Sequence, residues 1–230
     1  MFYRIDCSLF FGQKDVTMTE KVFWTNPYLA ELTSHVSRVD GSEVELSHTI
    51  FYAESGGQES DQGTIGGIDV VKASKSGRRI IYQLASQPTF TVGDKVVTVI
   101  DWPRRYALMK LHFAAEVVLE IFMQRFADFD KIGAHISADK SRIDFACPHS
   151  ITPLLNDIRA EAQQLIDADL AIESQFSDPL VERRFWKVAG FAQVPCGGTH
   201  LRRTSEVGRI ALKRKNVGKG KERVEIRLTD

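Results

Sequence analysis

Along the first hundred residues, apolar and polar positions alternate in short runs broken by turn residues. Val36-Ser37-Arg38-Val39 and Glu43-Val44-Glu45-Leu46 lie either side of Asp40-Gly41, which predicts a hairpin. Asp69-Val70-Val71-Lys72 and Arg79-Ile80-Ile81-Tyr82 flank Ser76-Gly77 and predict a second. Val96-Val97-Thr98-Val99-Ile100 is a nearly unbroken apolar run and predicts a buried strand. Several short strands with glycine turns point to a small barrel. The period changes at Asp101-Trp102-Pro103. From Arg104 to Phe126 there is no Gly or Pro, and Leu108, Leu111, Ala115, Val118, Leu119 and Phe122 follow the 3–4 spacing of a buried helical stripe. A second helix is expected from about Pro153 to Ile172, with Pro153 in its first turn and Thr152 as cap. Alternation returns in Phe185–Val188, Arg209–Leu212 and Arg223–Leu228. The expected fold class is α+β. A β-barrel-like domain covers residues 1–100, and a domain with helices packed on an antiparallel sheet covers 101–230.

Charge narrows the picture locally. The 30 basic and 30 acidic side chains cancel, so any attraction for nucleic acid must come from a patch. One patch is visible: residues 201–227 hold ten basic side chains against Glu206, Glu222 and Glu225. Within it, Lys213, Arg214, Lys215, Lys219 and Lys221 are expected on a loop between two strands, where they can track phosphates or serve only as a solvated surface. No apolar run reaches the length of a membrane span. Met1-Phe2-Tyr3-Arg4-Ile5-Asp6 lacks the apolar core of a secretory signal. Three cysteines, Cys7, Cys147 and Cys196, are too few for a disulfide framework and point to a reducing cytoplasm.

The densest chemistry is Cys196-Gly197-Gly198-Thr199-His200. Thiolate and imidazole suit Zn²⁺, and the two glycines allow a tight turn that lets both side chains converge. That pair needs partners. His112 and Glu116, at i and i+4 on the first long helix, project from one face and can supply them. Four ligands result, or three and a water if Glu116 stays off the metal and acts as a general base. Taken singly, Cys196 also reads as a small core residue and Glu116 as a solvated helix charge. Ser55-Gly56-Gly57-Gln58 reads either as a turn or as backbone and side chain that orient substrate or water. Thr199 either orients its neighbours or touches substrate. His149 after Cys147-Pro148 reads as a loop, and His35, His48 and His135 have no supporting pattern.

Cys196–His200, followed by Thr204-Ser205-Glu206-Val207-Gly208, resembles the C-G-G-T-H…T-G-E-I-G signature of alanyl-tRNA synthetase editing domains and of their free-standing relatives, the alanyl-tRNA editing proteins. Three more segments are similar in order and spacing: Phe51–Gln58 with Asp61 and Gly63 to F-Y-P-E-S-G-G-Q…D-x-G, Arg105–His112 to R-x-x-x-M-R-x-H, and Arg142-Ile143-Asp144-Phe145 to R-x-D-F. The resemblance spans most of residues 40 to 228. It implies zinc-dependent hydrolysis of misacylated tRNA(Ala), carrying Ser or Gly, without aminoacylation. It makes tRNA the partner and residues 101–230 the editing domain. It also implies metal ligation by His112, Glu116, Cys196 and His200, and a role near substrate for Gln58, Thr199, Gly56 and Gly57. One stretch departs from the pattern. The family helix reads H-T-A-x-H, whereas this one reads His112-Phe113-Ala114-Ala115-Glu116, with a carboxylate for the second imidazole and Phe113 expected in the substrate pocket. That departure leaves two other readings: a relative that has lost catalysis but binds tRNA or a partner, and a zinc hydrolase for another aminoacyl-tRNA.

Overall fold

A computed structural model describes residues 18–229; Cys7 and the Met1–Asp6 segment lie outside the described residues. The N-terminal part consists of β1 (Glu20–Lys21), β2 (Glu31–Asp40), β3 (Glu43–Leu46), β4 (His48–Thr49), β5 (Gly63–Ile65), β6 (Ile68–Ser76), β7 (Arg79–Leu84) and β8 (Lys95–Ile100). Both predicted hairpins form: Asp40 pairs with Glu43 and Ser76 with Arg79. The hydrogen-bonded order β2-β3-β7-β6-β5-β8 returns to β2, every pair antiparallel, so these strands close on themselves. Val36, Val44, Leu46, Ile65, Ile80, Tyr82, Val96 and Ile100 fill the interior. The valine run does not lie in a strand buried on both faces. Val96, Thr98 and Ile100 point in, while Val97 and Val99 are 37% and 40% exposed. A wall strand needs only one apolar face; here the outer face also carries valine, a residue that suits the pleated backbone.

The long helix α1 (Trp102–Arg125) leaves the ring directly. Asp101 caps it, its carboxylate accepting from Arg104 N at 3.0 Å, and Pro103 fits the first turn, where no amide donor is needed. The helix is buried more widely than a single stripe: Met109, Phe113, Ala114, Val117 and Ile121 are covered as well. A helix apolar on most sides is a central one. α1 rests against α2 (Leu155–Asp167) and against a four-stranded antiparallel sheet ordered β14-β15-β10-β9. Its strands are β9 (Asp130–Ile136), β10 (Ser141–Ala146), β14 (Arg209–Asn216) and β15 (Lys221–Thr229). A second sheet joins β11 (Glu173–Asp178), β12 (Arg183–Val188) and β13 (Ala192–Pro195). The architecture is α+β, with mostly antiparallel sheets and two α-helices among the described residues.

The second helix is shorter than its pattern predicted. A 3-10 turn takes Thr152–Leu154, Thr152 makes no capping bond, and the α-helix ends at Asp167. Asp169 then adopts a left-handed conformation (φ 51°), which stops the helix before the apolar Leu170 and Ile172 can extend it. The ring and α1 are pinned together by Arg105, which is wholly buried. Its Nε donates to Asp61 Oδ1 at 2.8 Å, Nη2 to Asp61 Oδ2 and to Ile50 O at 2.6 Å, and Nη1 to Pro27 O at 3.0 Å. This pair explains why the motif residues Asp61 and Arg105 are charged: one ties the loop after Tyr52, the other the helix that carries His112. Among the described residues, no helix is long and apolar enough to cross a membrane.

Candidate metal centre

Two distant stretches of chain meet at one point. α1 presents His112 and Glu116, and the loop after β13 presents Cys196 and His200. Glu116 Oε1 lies 3.3 Å from His112 Nε2, Glu116 Oε2 lies 3.2 Å from His200 Nε2, and Cys196 Sγ lies 3.4 Å from His112 Nε2. One ligand atom from each of the four falls within 4.8 Å of the others. A tetrahedral zinc shell has edges of about 3.3–3.6 Å between N, O and S donors. The short edges match, so the donor set fits a single ion, and the four residues can hold a metal. Two of the donors are anionic when they ligate, which balances a divalent cation.

The loop reaches this position through its backbone. Cys196 N donates to Arg184 O at 3.0 Å, Trp24 Nε1 donates to Gly197 O at 2.8 Å, and Gly198 N donates to Cys196 Sγ at 3.4 Å. Glycine at 198 answers to closeness rather than to a turn: a Cβ there would sit 2.0 Å from His112 Cε1. The Cε1–Nδ1 edge of the imidazole lies against bare backbone. Gln58 holds Nδ1, with Oε1 2.6 Å from His112 Nδ1 and Nε2 donating to Thr199 Oγ1 at 3.2 Å. An amide oxygen can only accept, so Nδ1 donates to it and Nε2 is the nitrogen turned toward the cluster. Gln58 and Thr199 thus hold the ring of His112. Gln58→Ala should cost about 10–100-fold in metal affinity while leaving the fold intact, as read by metal titration beside circular dichroism.

The cluster asks for positive charge at its centre. Burial and the nearby Glu116 push the Cys196 thiol up, yet His112 and His200 outweigh them and bring it down to about 7. Burial pushes Glu116 up as well, but His112 and His200 hold its carboxyl well below the usual range. Burial pushes both imidazoles down, while Glu116 and Cys196 hold them above the ordinary histidine value. Two buried anions must be offset by protons or by a cation.

The cluster opens on a cavity of about 230 Å³. Its walls include Tyr52, Ser55 and Gly56 from the ring side, Ala115 and Leu119 from α1, and Lys131, Ala134, Ile136 and Ile143 from the four-stranded sheet. Gly56 lines it. Gly57 does not; its φ of +88° and an approach that would bring a Cβ within 2.7 Å of Ala134 O make it the backbone contact between ring and sheet. Phe113 does not line it either. It is fully buried, edge-on to Trp186 at 5.3 Å, because one residue past His112 turns the side chain about 100° around the helix into the core. The basic loop is also redrawn. Lys213, Arg214 and Lys215 belong to β14, and only residues 217–220 connect it to β15. Arg214 is engaged by Glu222 at 2.5 Å, whereas Lys213, Lys215, Lys219 and Lys221 are exposed.

Residues 187–225 match the threonyl and alanyl tRNA synthetase second additional domain, and residues 4–104 match the class II (A) tRNA synthetases. The chain is 30% identical to the alanyl-tRNA editing protein AlaX-M of Pyrococcus horikoshii, covering 93% of this chain and 99% of that one. The chain belongs to the alanyl-tRNA editing proteins. The AlaX-M protein of Saccharolobus solfataricus is likewise 30% identical, over 90% of this chain and 98% of its own. An alanine–tRNA ligase of Methanococcus maripaludis is 28% identical over 92% of this chain but only 26% of its own length. Within this editing family, the candidate donor cluster here comprises one cysteine, one glutamate and two histidines.

Sequence patterns miss most of the cavity wall. Tyr52 and Ile143 sit inside motifs whose polar members draw the eye, and Ile136 lies in none. Arg142 and Asp144 instead form an ion-pair row with Arg223 on the sheet. Burial pushes the Asp144 carboxyl up, but Arg223 and Arg142 outweigh it and hold it low. Lys131, the cation of the cavity wall, has no motif around it. Glu206 of the T-S-E-V-G segment serves structure, accepting from Tyr28 and Tyr106 hydroxyls at 2.6 and 3.1 Å.

Proposed function

We propose that this chain hydrolyses the ester of misacylated tRNA(Ala) in trans, taking Ser-tRNA(Ala) or Gly-tRNA(Ala), with zinc held by His112, Glu116, Cys196 and His200. Membership of the editing family supports the reaction, and the observation that carries the site is the convergence of four metal donors beside a 230 Å³ cavity. Zinc there supplies Lewis-acid chemistry at the ester carbonyl or at a water. The protein's share is positioning. Thr199 steadies Gln58, Gln58 fixes the His112 tautomer, and both Glu116 oxygens face imidazoles, which favours ligation over a free general base. Leu119, Ile136 and Ile143 dry the cavity wall, and Gly56 and Gly197 offer backbone to the terminal ribose and amino acid. In this reading residues 1–100 form one unit and 101–230 the editing domain. The test is release of serine and glycine from charged tRNA(Ala) by protein of known zinc content. A zinc-loaded protein that leaves both esters intact would instead fit the second reading, a relative that binds without catalysis. One feature favours that reading: four protein donors complete a shell of the kind structural sites have.

We further propose that Lys213, Lys215, Lys219 and Lys221, with Arg214 steadied by Glu222, meet tRNA phosphates. Reversing Lys213 and Lys215 to Glu should weaken tRNA binding at low salt. It should also flatten the slope of log affinity against log salt by about two, one per lost phosphate contact. An unchanged slope excludes this patch.

A further inference from the structure

A second cavity, of about 160 Å³, adjoins the first and shares Gly198 with it. Trp24, Ser174, Arg184, His200 and Arg202 are among its walls, and no carboxylate is. Arg184 on β12 is 4% exposed. Among the described residues no carboxylate pairs with its guanidinium, and the nearby Cys196 only partly favours its charge; Nη2 donates to Trp24 O at 2.8 Å and Nη1 to Gly198 O at 3.3 Å. The Trp24 and Phe176 rings lie 5.6 and 5.2 Å from it. Carbonyls and rings soften the burial of a cation but do not neutralise it, and burial brings the group down to about 10. Three polar atoms of the wall residues also lack protein partners: Arg184 Nε, Ser174 Oγ and His200 Nδ1. With Nε2 of His200 given to a metal, as proposed above, Nδ1 bears the proton. All three are therefore donors, and buried donors are rarely left unsatisfied. Water satisfies donors but leaves the charge of Arg184 uncompensated.

We infer that this cavity binds one tetrahedral oxyanion of the phosphate class, held by Arg184, Ser174 and the far nitrogen of His200. Its source is either free phosphate or a phosphodiester of an RNA 3′ end, with the exposed Arg202 at the rim. The site borrows His200 from the proposed metal centre, yet its failure would leave the deacylase reading untouched.

Calorimetric titration of the zinc-loaded protein with inorganic phosphate, at ionic strength held constant with chloride, tests it. Wild type should bind one equivalent saturably. Ser174→Asp, which supplies a carboxylate from the protein itself, should abolish that binding, and Ser174→Ala should weaken it about tenfold by removing one hydrogen bond to a charged group. Ser174 is outside the metal cavity, so phosphate bound to the zinc ion would be indifferent to both changes. A CpCpA trinucleotide that competes with phosphate assigns the RNA source; absence of competition assigns the free ion. No saturable binding by wild type, or equal affinity in wild type and the Ser174 variants, overturns the site. Should Ser174→Asp fail to fold, Ser174→Ala decides.

Discussion

Asp61→Ala is expected to destabilise the protein by about 3–5 kcal/mol, because it strands a fully buried guanidinium. Both side chains of the Arg105–Asp61 pair are 0% exposed. Arg105 would keep its carbonyl partners Ile50 and Pro27 but lose the one carboxylate that pairs with it among the described residues. Asp61 Oδ2 also accepts from Tyr52 N at 2.7 Å, so a buried amide is orphaned too. The loss should appear as a lower urea midpoint with an unchanged slope. A double replacement, Asp61→Leu with Arg105→Met, should recover most of it, since apolar side chains of similar volume often substitute for a buried ion pair. A single variant as stable as wild type would mean that ring and α1 are joined by apolar packing alone.

Cys196→Ala and His200→Ala should each lower zinc affinity and deacylation by more than about 100-fold, because loss of an outer partner of a ligand already costs about 10–100-fold. His200→Ala removes the donor nearest Glu116 Oε2, and Cys196→Ala removes one of the two anionic charges that balance the ion. Each variant keeps the core that positions the loop, so circular dichroism should match wild type. Full zinc content with an unchanged rate in either variant would remove that residue from the site.

Local rules made the hairpins and the start of α1 legible in the sequence, since Asp40-Gly41, Ser76-Gly77 and Asp101-Trp102-Pro103 act through nearest neighbours. The four donors were legible because their spacing, i to i+4 on a helix and C-x-x-x-H on a loop, reports geometry directly. Long-range contacts were not. Nothing around Phe113 says that Trp186 waits for it across 73 residues of chain, nor that Gly198 must be bare because His112 lies against it. Arg184 shows the same limit: as a charged residue in an alternating strand it reads as solvent-facing, and only the packing of Trp24 and Phe176 buries it. The second helix was overdrawn because apolar residues at 170 and 172 continue a helical period that Asp169 interrupts by adopting positive φ.

Whether His112, Glu116, Cys196 and His200 enclose one ion can be read from X-ray absorption at the zinc edge of purified protein. The spectrum should show one zinc per chain with one sulfur at about 2.3 Å and three nitrogen or oxygen neighbours at about 2.0–2.1 Å. A first shell without sulfur, or protein that deacylates fully while free of metal, would place the chemistry elsewhere.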